Sequence, residues 1–151
     1  MLLAVPATAA TVWRFDGACT ASTREGGASD DLSAASAKPI ACRAAVLISD
    51  PDGVAVVTAG TSADGGVPVS FGSVNFPPGP SGNVITMPVD EVNVGEGSGQ
   101  PATGTCRLYG PDLEKVSAVR CKATVVDGER KRIVAVDVKV SAVRIVLPGQ
   151  Q

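Results

Sequence analysis

A two-sheet antiparallel β-sandwich of the Ig-like, Greek-key type, stapled by disulfides, is the fold this sequence predicts, with a closed β-barrel as the alternative. Three observations predict it. The 17 glycines and 11 prolines fall between short alternating runs rich in Val and Thr, the punctuation of an all-β chain. No run sustains a helical period of about 3.6. The four cysteines, Cys19, Cys42, Cys106 and Cys121, form an even set without C-x-x-C spacing, which reads as a structural framework and not as a redox centre or a zinc knuckle.

Residues 1–10 read as the remnant of a secretory signal peptide. Leu2 to Val5 is apolar, Pro6 breaks it, and Ala7-Thr8-Ala9 has the small-x-small arrangement that signal peptidase accepts; the basic leading region is missing. Residues 11–151 then form a single domain. Hydrophobic residues make up 44% of the chain but aromatics only 3%, so its core has to be built from Val, Ala, Ile and Leu, and cross-links help such a core. Pro, Gly or charge interrupts every run well short of the ~18–20 apolar residues of a membrane helix. The expectation is a secreted, periplasmic or cell-surface protein with no transmembrane segment.

Thr11 to Cys19 is the first strand, with Trp13 and Phe15 on its inner face and Arg14 and Asp16 on the other. Thr20 to Lys38 reads as a polar loop, with a helical turn over Asp30 to Ala35 capped by Asp30 or Asp31. Pro39 to Ser49 reads as one long strand, turned back through Asp50-Pro51-Asp52-Gly53 into Val54 to Ala59. Gly60 to Gly66 is a further turn, Val67 to Phe71 a strand, and Pro77 to Gly82 a connector that cannot join a ladder. Asn83 to Val94 is a strand broken or bulged at Pro88, and Gly95 to Gly99 is a flexible loop.

Two turns fix the last third. Gly110-Pro111-Asp112-Leu113 joins Cys106–Tyr109 to Val116–Val126 and sets Cys106 opposite Cys121, with Leu108 and Val119 inside and Arg107 and Arg120 outside. A two-residue type II′ loop at Gly128-Glu129 sets Asp127 opposite Arg130, which turns Val119, Cys121, Ala123 and Val125 to the same side as Val134, Val136 and Val138. Both turns give the same sidedness. Four cysteines allow three connectivities; pairing of neighbours, Cys19 with Cys42 and Cys106 with Cys121, is favoured, and the register supports the second bridge. Ile133 to Leu147 is too long for one flat strand, and its alternation slips near Ala142 and Val143, which predicts a bulge or a change of sheet.

The chain has no histidine. That removes the Ser-His-Asp and Cys-His relays and the side chain that titrates near neutrality. Neither G-x-S-x-G nor S-x-x-K occurs, and Gly95-Glu96-Gly97-Ser98-Gly99 lacks the lysine of a phosphate-binding loop. The reading is non-enzymatic, with no cofactor. Asp30-Asp31 and Asp90-Glu91 supply paired carboxylates, but glycoside cleavage needs a cleft that so few aromatics can scarcely line. Asp50, Asp52 and Asp64 could gather at one end of the fold as oxygen ligands for calcium, yet Asp in hairpin turns usually serves the backbone, and no metal is expected.

Charge is uneven: the segment to Gln100 has an acidic excess and the rest a basic one. On the register above, Arg107, Arg120, Lys122 and Lys139 share an outward face with Tyr109 and Asp137, and Arg130, Lys131 and Arg132 cap the adjoining turn. This face is the candidate site for an anionic ligand; the competing reading is a solvated sheet face on which Asp137 offsets Arg120. A net charge of −2 and few aromatics argue against nucleic acid. Three functions follow as expectations. The first is a surface-contact subunit of an extracellular or envelope assembly, or an adhesion module, with a protein partner or self-assembly through the long terminal strand. The second is a binding module for an anionic polysaccharide or envelope lipid. The third is a secreted enzyme inhibitor presenting Phe76 to Asn83.

Overall fold

Alternation of apolar and polar residues accounts for each long element. The computed structural model describes residues 11–29, 31–32, 37–50, 53–59, 68–74, 82–95 and 99–146. Its strands are β1 (Thr11–Gly27), β2 (Lys38–Ile40), β3 (Ala44–Asp50), β4 (Gly53–Ala59), β5 (Val69–Ser73), β6 (Val84–Val94), β7 (Gln100–Tyr109), β8 (Ala118–Asp127) and β9 (Arg130–Val146). A short 3₁₀ turn, Leu113–Lys115, lies between β7 and β8. Each strand from β3 onward pairs antiparallel with the next, and β9 returns to pair with β1. The result is a closed eight-stranded barrel, with β2 attached to β1 outside the ring.

Closure corrects the sandwich expectation in favour of its alternative, and the cause is the length of β1. Its pairing with β9 runs from Val12 opposite Val146 to Gly27 opposite Arg130. The segment after Cys19, read from sequence as loop, continues the strand to Gly27 because Ala21 and Thr23 are buried opposite Val136 and Val134. Such small residues satisfy a pleat without announcing one. The other edge of β1 is shared, with Thr11 to Asp16 on β3 and Ala21 to Thr23 on β2. The expected single strand over 39–49 is therefore divided, and Cys42 lies in the connection, bridged to Cys19.

The slip expected near Ala142 is a bulge at Ser141. Asp16 pairs with Ala142 and Gly17 with Val140, so one residue of β9 is left over. The Ser141 hydroxyl donates to the Asp16 carbonyl at 3.2 Å. Gly17 is required there, because a Cβ would collide with the Lys139 carbonyl. The irregularity of β6 lies between Val89 and Glu91, not at Pro88, which pairs in register with Thr105. The β3–β4 hairpin forms as expected, with Asp50 opposite Gly53.

Eight strands enclose a space that side chains can just fill, which explains how a core with few aromatics is sufficient. Phe15, Phe71, Met87 and Leu108 are almost fully buried among inward valines from β4, β5, β6, β8 and β9, while β1 adds Ala21, β3 adds Ala45 and Leu47, and β7 adds Cys106. Trp13 is half-buried and packs against this cluster. Thr58, also turned inward, accepts a hydrogen bond from the Val69 amide at 2.9 Å, as a buried hydroxyl requires. The Cys106–Cys121 bridge is part of the core, both residues being at most 2% exposed.

The helical turn over 30–35 falls mostly outside the described residues, as do the loops at 60–66 and 96–98, most of the 77–82 connector, and residues 1–10. Among the described residues no helix is long and apolar enough to cross a membrane.

Candidate functional site

The outward face of β7, β8 and β9 follows from what those strands bury. With Cys106, Leu108, Val119, Cys121, Ala123, Val134, Val136 and Val138 inside, the pleat puts Arg107, Tyr109, Arg120, Lys122, Asp137 and Lys139 outside. The register is the expected one. Arg107 lies opposite Arg120, which lies opposite Asp137; Tyr109 lies opposite Ala118, which lies opposite Lys139; Lys122 stands between Thr105 and Ala135. All five residues of the candidate anionic-ligand face are thus brought together, and the bridge beneath joins the immediate neighbours of Arg107 and Arg120.

Like charges directly opposite each other destabilise a ladder, and the structure shows how this pair is relieved. Arg120 has an acid and a ring beside it, its Nε 3.5 Å from the Asp137 carboxylate and its guanidinium 5.7 Å from the centre of the Tyr109 ring. Both members of the ion pair are more than half exposed, at 64% and 53%, so the pair itself contributes little stability, ~0–1 kcal/mol. The offset of Arg120 by Asp137 is therefore real. Arg107, Lys122 and Lys139 have no carboxylate within salt-bridge distance among the described residues. The face keeps a surplus of positive charge that its own acid does not cancel.

Lys122 also borders a recess of about 370 Å³ with Arg24, Lys131, Asp31, Leu32 and Ile133. Sequence reasoning misses Arg24 because it places residue 24 in a loop; the available signal is the weak alternation of Ser22 and Arg24 with Ala21 and Thr23. Arg24 donates to the Leu32 carbonyl at 3.4 Å, which helps to seat buried Leu32 on the outside of the barrel. The basic triplet at the β8–β9 turn is split by the pleat. Lys131 joins this recess, whereas Arg132 lies opposite buried Val125 and donates to Gln100 at 2.7 Å.

The other candidates are not assembled. Asp52 and Asp64 lie outside the described residues, as does the side chain of Asp50, and no cluster of metal-binding side chains occurs among the described residues. The Asp90 carboxylate accepts the Val74 amide at 3.2 Å, a backbone role. Most of the loop from Phe76 to Asn83 is outside the described residues. No family model, curated protein or solved structure matches the chain.

Proposed function

We propose that this protein is a non-enzymatic, exported surface-contact module that holds an anionic polysaccharide against the outer face of β7–β9. The observation that carries this reading is the set of cations without a carboxylate partner among the described residues, Arg107, Lys122 and Lys139, held beside Arg120 and Tyr109 on one sheet face. A sheet fixes such charges at about 4.8 Å between strands and about 7 Å between alternate residues of one strand. Because the bridge under Arg107 and Arg120 ties their two strands together, little order is lost on binding. Arginine forks onto sulfate and carboxylate groups, and Tyr109 offers a ring face to a sugar.

Across the ladder from Arg107, Lys122 and Lys139 stand Arg120, Thr105, Ala135 and Ala118, small or polar neighbours that suit a polysaccharide better than an envelope lipid; the larger apolar side chains of this face, Ile133 and exposed Val126, lie toward the β8–β9 turn. The assembly reading rests on less of β9 than its length suggests, because β1 pairs the strand from end to end and β8 covers it over Arg130–Lys139, which leaves only the edge of residues 141–146 without a neighbouring strand among the described residues. Two disulfides support an oxidising compartment.

Retention on immobilised dextran sulfate tests the proposal. The protein should bind at about 50 mM salt and elute by about 500 mM, as screening of exposed charges requires. The triple variant Arg107→Ala, Lys122→Ala, Lys139→Ala should flow through. Absence of retention, or equal retention of the triple variant, refutes the reading; a concentration-dependent oligomer without polyanion binding would restore self-assembly in its place.

A further inference from the structure

A second feature lies on the outside of the barrel, where β1, β3 and β9 meet at the end bearing the β3–β4 hairpin. Three rows cross these strands. Val12 lies between Ile48 and Val146, Arg14 between Val46 and Arg144, and Asp16 between Ala44 and Ala142. The first two rows line a recess of about 600 Å³, within the ~300–1,000 Å³ of small-molecule sites. Val12 is only 5% exposed although it is not part of the core cluster, and Val46, Ile48 and Val146 are half-buried. The wall is aliphatic.

Both arginines at this wall are held by one carboxylate. Arg14 Nε donates to Asp16 Oδ1 at 2.8 Å, and Arg144 Nε donates to Asp16 Oδ2 at 3.2 Å, with Arg144 Nη2 in ion-pair contact with the same oxygen at 3.1 Å. Burial raises the Asp16 carboxyl, but the hydrogen bonds and charges of Arg14 and then Arg144 outweigh it and hold the group below its ordinary value. Asp16 is therefore an anion that aligns two cations. Each guanidinium has five N–H donors, and no other acceptor takes those that remain among the described residues. The cluster has one positive charge in excess, and it borders an apolar trough.

We propose that this trough binds an aliphatic carboxylate of medium chain length, its chain along Val12, Val46, Ile48 and Val146 and its carboxylate on the free donors of Arg14 and Arg144. The excess guanidinium selects the sign of the headgroup, and the branched aliphatic wall selects a hydrocarbon tail over a sugar. This site is separate from the β7–β9 face and does not depend on its function.

Methyl NMR of the full chain, titrated with dodecanoate below its micelle concentration, tests the proposal. The methyl signals of Val12, Val46, Ile48 and Val146 should shift saturably with one-site behaviour. Arg144→Gln, at a side chain 63% exposed, should weaken binding roughly tenfold through loss of a charge-assisted hydrogen bond, and Arg144→Lys should recover part of it. Dodecyltrimethylammonium should bind roughly tenfold more weakly than dodecanoate, because its charge has the wrong sign. Val46→Glu should abolish dodecanoate binding and provides the test if Arg144→Gln does not fold. Non-saturable shifts, equal affinity of the glutamine variant, or equal affinity for the cationic detergent overturns the proposal. So do contacts, in the free protein, from Leu2, Leu3 or a second copy to Val12, since these would give the trough a different occupant.

Discussion

The β7–β9 region and the β1–β9 seam are both antiparallel ladders, yet they owe their existence to different causes. β7, β8 and β9 are joined by short turns, and one cross-strand bridge lies inside them. The seam joins residues 12–27 to residues 130–146, partners more than 100 positions apart along the chain. Local turn chemistry sets the first ladder; the second forms only once the intervening strands have curled round to present β9 to β1. Long-range pairing of this kind has a larger loop-closure cost before its contacts form. The seam accordingly carries the devices that a difficult junction needs: a bulge at Ser141, a glycine at 17 and a carboxylate clamp at Asp16.

The bridges give the largest test of this difference. Cys19–Cys42 spans 23 residues and Cys106–Cys121 spans 15, so chain entropy alone makes each worth about 3 kcal/mol, the first slightly more. The second is also core material. Cys106→Ala with Cys121→Ala should therefore cost about 4–5 kcal/mol, since a cavity is added to the lost constraint, against about 3 kcal/mol for Cys19→Ala with Cys42→Ala. Urea denaturation measures both. A larger loss at Cys19 and Cys42 would mean that the seam, and not the core, limits stability.

Glycines sharpen the comparison at the next scale. Gly17→Ala drives a Cβ into the Lys139 carbonyl and should cost about 2–3 kcal/mol, because backbone must move. Gly128 has φ +60°, and a Cβ added there would meet nothing within 4 Å, so Gly128→Ala should cost only ~1–2 kcal/mol of left-handed strain. Equal losses would show that the bulge relaxes freely.

Acid separates the two regions further. The lowered carboxyl of Asp16 contributes stability that is fully present above its ordinary value of 3.8 and is lost as pH falls below that through the folded-state value. Urea midpoints measured from neutrality downward should drop in this window, and Asp16→Asn should remove that part of the drop. The exposed Arg120–Asp137 pair gives the smallest stability effect: Asp137→Asn should change unfolding free energy by less than about 0.5 kcal/mol. It should nevertheless lengthen retention on dextran sulfate, since the face loses its one acid. Unchanged or weaker retention would count against the β7–β9 face.

Legibility in the sequence follows the same division. Turn geometry alone places Arg107, Arg120, Lys122 and Lys139 on one face, because Gly128 with φ +60° followed by Glu129 without positive φ suits a type II′ loop and a two-residue loop propagates its register along both strands. The bulge at Ser141 is visible as a slip in alternation. Arg24 is not visible, since Thr20 to Gly27 is too small and polar to read as a strand until β9 lies beside it. The Asp16 clamp is hidden for the same reason: Arg14 is near in sequence, but Arg144 reaches it only through the seam.

For the β3–β4, β7–β8 and β8–β9 hairpins the sequence by itself determined where the chain turns, and for the last third it determined which side chains face in, which face out and that the two cysteines meet. Period-two alternation and turn chemistry act between near neighbours, and they are written in consecutive residues. Only the tertiary structure decided that the sheet closes on itself. Sandwich and barrel use the same alternating strands, and the choice between them rests on whether the first and last strands pair, an interaction between distant segments that no local pattern encodes.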